Sequence, residues 1–243
     1  MRIGLIGSGR MGQAAAKAVT AASHEIVATF DSQRRMTADA LSAIDVLIDF
    51  SVGSAVKAHA ETALAAGCAL VTGTTAWEND LDEIRAMVEA KQGRFLYAAN
   101  FSIGVLLFQK LAQQAARLFG KFENYDVAIH EIHHRQKIDS PSGTAKMLAD
   151  AILPELPEKD HLQFDRPAGK ISPSALQVSA SRVGAVPGTH SIIIDSAADT
   201  IQLTHTARGR MGFAQGALQA AEWIIGKRGF FSITDMIDEI IGA

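Results

Sequence analysis

Two adjacent imidazoles and an amine stand just ahead of a helix-start signal in this chain. The stretch reads Glu131-Ile132-His133-His134-Arg135-Gln136-Lys137-Ile138-Asp139-Ser140-Pro141-Ser142-Gly143-Thr144. An imidazole titrates near neutrality, so His133 and His134 are candidates for giving a proton to a reacting group. Lys137 lies on a polar turn three residues later and can hold an anionic substrate or help to protonate it. Ser142 has the residue type of a helix N-cap. Gly143 and Thr144 then offer free amides at a helix N-terminus, where a carboxylate is favoured. Gly143 lets that carboxylate approach the main chain. The chemistry implied is protonation beside a carboxylate-binding turn. On these residues alone, the choice between His133 and Lys137 as proton source stays open.

The same residues argue against a metal centre. A strand over Tyr125–His134 places His130 and His134 on one face and Glu131 and His133 on the other. Three histidines on one ion would then need a distorted strand. The chain has no H-E-x-x-H and no cysteine pair. No metal is expected, and His130 reads as a packed or edge histidine.

A second constellation lies at the start of the chain. Gly7-Ser8-Gly9-Arg10-Met11-Gly12 matches G-x-G-x-x-G. It follows an apolar strand and opens a helix, the context that a dinucleotide-binding loop requires. In that reading Gly7 makes the tight turn, Gly9 admits the pyrophosphate and Gly12 allows close helix–sheet contact. Ser8, Arg10 and Met11 complete the loop. Asp31 follows the second strand, nineteen residues beyond Gly12, where a carboxylate can accept the ribose hydroxyls. Asp31 would repel a 2′-phosphate, so NADH is the preferred cofactor expected. Arg34 and Arg35 could pair with that phosphate, so NADPH is expected to be accepted as well. Gly73-Thr74-Thr75 and Ala98-Ala99-Asn100-Phe101 follow the fourth and fifth strands. Open α/β sheets bind ligands at such strand ends, and both loops can line the nicotinamide.

These residues need elements to position them. Strands are predicted over Arg2–Ile6, Glu25–Phe30, Asp45–Phe50, Ala69–Thr72 and Phe95–Ala98, with a helix over Met11–Ala22 on a 3.6 period. Short apolar strands separated by helices imply a parallel sheet covered on both faces. Asp31–Ala40 is polar and has room for a short helix only. After about residue 102 the pattern changes. A long helix over Ile103–Phe119 precedes the strand Tyr125–His134 and a helix over Thr144–Leu153. Pro154–Pro173 carries four of the six prolines and reads as a long loop. Strands Leu176–Val183, Thr189–Asp195 and Thr200–Ala207 suggest an antiparallel or mixed sheet. Helices over Phe213–Ile225 and Ile233–Ile241 end the chain. The fold class expected is α/β, with a Rossmann-type dinucleotide-binding domain at 1–102. An α+β domain follows at 103–210, then terminal helices at 211–243 that pack back on the first domain.

At 243 residues and 48% hydrophobic content, a sizeable core can be buried. The net charge of −3 leaves no basic stripe for nucleic acid. Cys68, the single cysteine, excludes an intrachain disulfide and fits a reducing compartment. It opens an apolar run and reads as a small core residue rather than a nucleophile. No apolar run reaches the length of a membrane span, and no targeting segment is visible. A cytoplasmic protein without membrane or nucleic-acid partners is expected.

The stretch Glu131–Ala145 closely resembles the signature of the 4-hydroxy-tetrahydrodipicolinate (dihydrodipicolinate) reductase family. Gly73-Thr74-Thr75 and Ala98-Ala99-Asn100-Phe101-Ser102 resemble that family's cofactor-lining loops, and the likeness covers essentially the whole chain. The resemblance implies a small cyclic dicarboxylate as substrate and NADH or NADPH as hydride source. It also implies a homotetramer built through the second domain's sheet, making that domain both substrate-binding and oligomerising. His133 matches the family's proton-donor position and Lys137 the second catalytic position. His134 matches a substrate contact, and Gly143 and Thr144 match the pair that binds a substrate carboxylate. The chain departs from the family's pattern at three places. The glycine loop is one residue shorter than in many members. Ser32 stands where many have an arginine after the ribose-binding acid. The family's Gly-Glu-His reads Gly188-Thr189-His190.

Two other functions fit a dinucleotide fold. A semialdehyde or sugar dehydrogenase is one, but acylating chemistry needs a well-placed cysteine and Cys68 precedes a strand. A dinucleotide sensor without turnover is the other, and it has no need of the His-His-Lys cluster.

Overall fold

The computed structural model describes residues 1–164 and 169–242. In chain order the elements are β1 (Arg2–Ile6), α1 (Arg10–Ala21), β2 (Glu25–Phe30), β3 (Val46–Asp49), α2 (Val56–Ala65), β4 (Ala69–Thr72), α3 (Leu81–Ala90) and β5 (Arg94–Tyr97). There follow α4 (Ile103–Phe119), β6 (Asp126–His133), α5 (Gly143–Ile152), β7 (His161–Phe164), β8 (Ala175–Arg182), β9 (Thr189–Asp195) and β10 (Thr200–Thr206). The last are α6 (Met211–Ile224), β11 (Gly229–Ser232) and α7 (Ile233–Ile241). The chain divides into two compact units, Met1–Ile103 with the segment from Arg210 on, and Gly104–Gly209.

The first unit is a Rossmann-like α/β layer. Its six strands run in the order β11-β5-β4-β3-β1-β2, and every neighbouring pair is parallel. Strand order reverses at β1, which lies between β2 and β3; a crevice opens at the carboxyl ends of strands at such a point. Burial on both faces explains why β3 and β4 are apolar almost throughout. Helix α1 buries Gly12, Ala15, Ala18 and Val19, a stripe at helical spacing, and lies against α6. The core gathers Phe30, Leu47, Leu70, Ile84 and Phe95. Cys68 belongs to it. Burial pushes its thiol up to about 12, and Sγ donates to the Ile44 carbonyl.

The second unit is a five-stranded mixed sheet in the order β10-β9-β6-β8-β7. Strands β6 and β8 are parallel, while β9 runs antiparallel to β6 and β10. Residues from α4 and α5, among them Phe108, Ala112, Leu148 and Ile152, pack on one face against Ile129, Val178 and Ile192.

Two expectations need correction. Pro154–Pro173 is not loop throughout, because His161–Phe164 forms β7 against β8. Its four residues are at most half-buried, so an edge strand this short carries little apolar signal. Residues 165–168 of that stretch lie outside the described residues. The terminal helices are separated by β11, which extends the first sheet by pairing with β5. Within Asp31–Ala40 only the start of a single 3₁₀ turn, Asp39–Leu41, forms, in line with the room for a short helix expected there.

Candidate active site

In the first unit, Gly7 has φ +98°, and a Cβ there would lie 2.3 Å from the Phe50 carbonyl oxygen. A Cβ on Gly12 would come within 1.9 Å of the Gly7 carbonyl oxygen. Gly9 differs: a Cβ there would meet nothing within 4 Å. Gly7 and Gly12 thus let loop and helix close on each other, while Gly9 keeps open the space before the α1 amides. Gly9 is the α1 N-cap and makes no side-chain cap. Ser8 and Arg10 are exposed and Met11 is half-buried. A groove of about 740 Å³ runs from Gly7 and Gly9 past Asp31, Ser32 and Arg35 to His59. Asp31 Oδ1 accepts the amides of Gln33 at 2.9 Å and Arg34 at 3.1 Å. The Arg34 and Gln33 amides hold its carboxyl below the usual range, so it stays ionised. Arg34 stacks over Phe30, 5.5 Å from the ring centroid. The glycine cradle, the open helix end and the carboxylate in one groove fit a dinucleotide.

The two later loops present fewer side chains than expected. Thr74 is buried, and its hydroxyl accepts the Ser51 amide at 2.9 Å and donates to Asp49 Oδ1 at 3.3 Å. Phe101 is buried against Phe50, with ring centroids 6.3 Å apart, and Ala98 is buried as well. Asn100 Oδ1 accepts the Ser102 amide. Gly73, Thr75 and Ala99 keep some exposure. A Cβ on Gly73 would strike the Phe50 ring at 2.2 Å. Sequence reading missed Asp49 and His59. The Asp49 carboxylate is fully buried, with His59 Nδ1 3.1 Å away. An acid ending an apolar strand is the signal for such a buried network.

In the second unit, β6 alternates as expected, with Val127, Ile129, Glu131 and His133 all buried on the core face. His130 points the other way and pairs with Ser179 at 2.9 Å. The strand ends at His133, so His134 opens the turn, with Nδ1 buried and without a protein partner. Glu131 is 0% exposed. Its Oε1 accepts the Ser142 amide at 3.0 Å and Arg182 Nη2 at 2.8 Å. Its Oε2 accepts the Ser142 hydroxyl. The same oxygen lies 3.3 Å from His190 Nε2 and 3.5 Å from His133 Nδ1. Burial alone would raise the Glu131 carboxyl. The donors on His190, Ser142 and Arg182 outweigh it and hold the group well below the carboxylate range.

His133 is 7% exposed, and burial pushes its imidazole down to about 4. Glu131 works against that shift, while His190, Lys137 and Arg182 add to it. The rings of His133 and His190 meet edge to face at 5.1 Å. Lys137 Nζ is paired with Asp139 at 2.8 Å. Ser142 caps α5, its hydroxyl accepting the Ala145 amide at 3.2 Å, and the Lys146 amide bonds the Ser142 carbonyl. The first-turn amides of Gly143 and Thr144 make no hydrogen bond among the described residues, and a Cβ on Gly143 would meet nothing within 4 Å. The ligating atoms of Glu131, His133 and His190 fall within 4.8 Å of one another. Even so, Glu131 spends its oxygens on Ser142 and Arg182, and that guanidinium opposes a dication.

Sequence reading did not single out Arg182 and gave His190 no role. The signal was Glu131 itself, since a carboxylate on a buried strand face demands partners. Register supplies them: His133 pairs with Arg182 across β6–β8, and Glu131 with His190 across β6–β9. Gly188 closes the cluster. Its φ is +153°, and a Cβ would sit 2.9 Å from His133 Nε2. Gly188→Ala is expected to destabilise the protein by about 1–3 kcal/mol, read as a lower urea midpoint with unchanged slope.

Family models for dihydrodipicolinate reductase match the chain in two pieces, the N-terminal model over residues 1–101 and the C-terminal model over residues 104–237. The 4-hydroxy-tetrahydrodipicolinate reductase of Christiangramia forsetii is 38% identical over 240 residues, 99% of each chain. The enzyme of the same name from Acinetobacter baumannii is 33% identical, covering 93% of this chain and 92% of its own. A dipicolinate-bound dihydrodipicolinate reductase from Paenisporosarcina sp. TG-14 shares the fold at TM-score 0.79 and 23% identity, over 97% of this chain and 98% of that one. With most of its length matched by both halves of one family and by relatives above 30% identity, this chain belongs to the dihydrodipicolinate reductase family.

Proposed function

We propose that this chain reduces 4-hydroxy-tetrahydrodipicolinate, by way of dihydrodipicolinate, to tetrahydrodipicolinate in lysine and diaminopimelate biosynthesis. The observation that carries this reading is the buried imidazole of His133 within the electrostatic reach of Lys137, in a unit where α5 leaves the Gly143 and Thr144 amides free. Gly7–Gly12 and Asp31 would hold the dinucleotide in residues 1–102, and Gly73–Thr75 and Ala98–Phe101 would line it largely through main chain. When bound, the reduced nicotinamide supplies hydride to the substrate ring. Lys137 exchanges Asp139 for a substrate carboxylate. The Gly143 and Thr144 amides take a carboxylate at the positive end of α5, and His134 is proposed to contact the substrate. His133 gives a proton to the carbon next to the one that receives hydride.

NADH is the proposed cofactor. Asp31 is held ionised in the groove, and Ser32 offers a 2′-phosphate no positive charge. Arg35 also lines the groove and leaves NADPH usable. We expect kcat/KM to favour NADH by about tenfold, equivalent to ~1.4 kcal/mol. A preference for NADPH would refute this reading of Asp31. The face of the second sheet opposite the α4–α5 layer presents Ala128, His130, Ile132 and Ile193 partly exposed, which supports a homotetramer formed through that sheet. No described helix is long and apolar enough to cross a membrane, in keeping with a cytoplasmic enzyme.

The test is a coupled assay. Pyruvate and aspartate semialdehyde are condensed by the preceding synthase while NADH absorbance is followed. NADH loss that depends on both precursors and on this protein is expected. NADH binding without oxidation would instead mark a dinucleotide sensor.

A further inference from the structure

We propose that Glu131 is a positioning residue, whose single buried carboxylate ties the His133 imidazole to the Ser142–Thr144 turn so that carboxylate binding and proton delivery depend on the same anion. The inference rests on the reductase reading above and assigns a role to a residue outside its chemistry.

The geometry is that of a hub. Oε1 is taken by Arg182 and the Ser142 amide, and Oε2 by the Ser142 hydroxyl. His133 Nδ1 is buried, has no hydrogen-bond partner within normal reach, and faces Oε2 at 3.5 Å. A proton on Nδ1 is favoured there by the carboxylate opposite it. The other nitrogen, Nε2, lies against Gly188, where any Cβ would come within 2.9 Å. Glycine at this position keeps Nε2 uncovered. One ring edge is therefore oriented by Glu131 and the other is available to a ligand.

The same carboxylate sets the turn. Ser142 is held at both its amide and its hydroxyl, eleven residues along the chain from Glu131. Its hydroxyl also caps Ala145. The direction of the Gly143 and Thr144 amides follows from where Ser142 is pinned. A fold-stabilising salt bridge alone would account for Arg182 and Glu131. It would not account for the same oxygens reaching both the imidazole and the N-cap of α5.

Four charged or titratable groups face His133: Glu131 on its own strand, His190 on β9, Arg182 on β8 and Lys137 on the following turn. The α5 N-cap contributes only the neutral Ser142 hydroxyl. Glu131 is the one member that favours the imidazolium. Removing its charge therefore has a sign that a purely structural role lacks.

The test compares wild type with Glu131→Gln, Glu131→Asp and Arg182→Met. The His133 imidazole is followed by NMR in the free proteins, and kcat by the coupled assay across pH. In Glu131→Gln the imidazole should protonate at lower pH, by about one pH unit or more. The alkaline limb of kcat should move the same way, KM for substrate should rise, and the Kd for NADH should not change. Glu131→Asp keeps the charge and should keep the limb in place while kcat falls. Arg182→Met removes an opposing cation and should move the titration to higher pH, which decides the matter if Glu131→Gln fails to fold. Titrations and limbs superimposing on wild type in every folded variant would overturn the proposal. Wild-type protein that never oxidises NADH would overturn the reductase reading alone, since the imidazole titration needs no turnover.

Discussion

Replacing His133 by alanine is expected to lower kcat by about 10²–10⁴-fold, the usual worth of a positioned general acid, with only a modest change in KM. The imidazole is 7% exposed and is held between Glu131, His190 and Gly188. Burial keeps it uncharged in the free chain at neutral pH, so it is not a fixed cation that draws the dianion in. The groups proposed to hold carboxylate, Lys137 and the Gly143–Thr144 amides, are untouched by the substitution. Loss of kcat with KM preserved is the mark of an interaction made in the transition state. The variant leaves a ring-sized gap, so thermal unfolding must show that it is still folded at the assay temperature. Steady-state kinetics against generated substrate, with NADH saturating, reads the split. A raised KM with kcat intact would make His133 a binding group and pass the proton to Lys137.

Much of the frame that holds this site is legible in residue order, and the limits have physical causes. The strand of β1, the Gly7–Gly12 loop and α1 follow from an apolar run, a glycine spacing and a 3.6-residue stripe, all local signals. The α4 and β9 bounds expected from the pattern agree with those formed. Strands β7 and β11 were not legible because each is four residues long and at most half-buried, so neighbours rather than propensity hold them. His133, Lys137, Gly143 and Thr144 lie within twelve residues of sequence, which is why their chemistry could be read together. Arg182 and His190 reach the same carboxylate from β8 and β9. Their approach depends on register between strands, which no spacing in the chain specifies. Asp49 and Thr74 form a second case, since a hydrogen bond joins the ends of two parallel strands twenty-five residues apart.

The affinity of dipicolinate, used as a stable dicarboxylate probe, is expected to weaken as pH rises from 6 to 8. The argument starts from the free imidazole. Burial first, then His190, Lys137 and Arg182, hold His133 at about 4, so at neutral pH it carries no exchangeable charge. A neutral imidazole is a poor acid, yet the role proposed for it is to donate. Two carboxylates brought to Lys137 and to the Gly143–Thr144 amides place negative charge beside His133, which favours the imidazolium. The complex therefore holds a proton that the free chain has already lost. Between the free and the bound pKa, each unit rise in pH makes that proton tenfold harder to take up, and binding weakens accordingly. Below the free pKa both states are protonated and the dependence vanishes. Isothermal titration in two buffers of different ionisation heat should show net proton uptake on binding. His133→Ala should bind the probe with no such uptake and a flatter pH profile. If wild type binds with the same affinity at pH 6 and pH 8 and takes up no proton, His133 is neutral in the complex. The acid would then have to be the Lys137 ammonium, freed when a substrate carboxylate displaces Asp139.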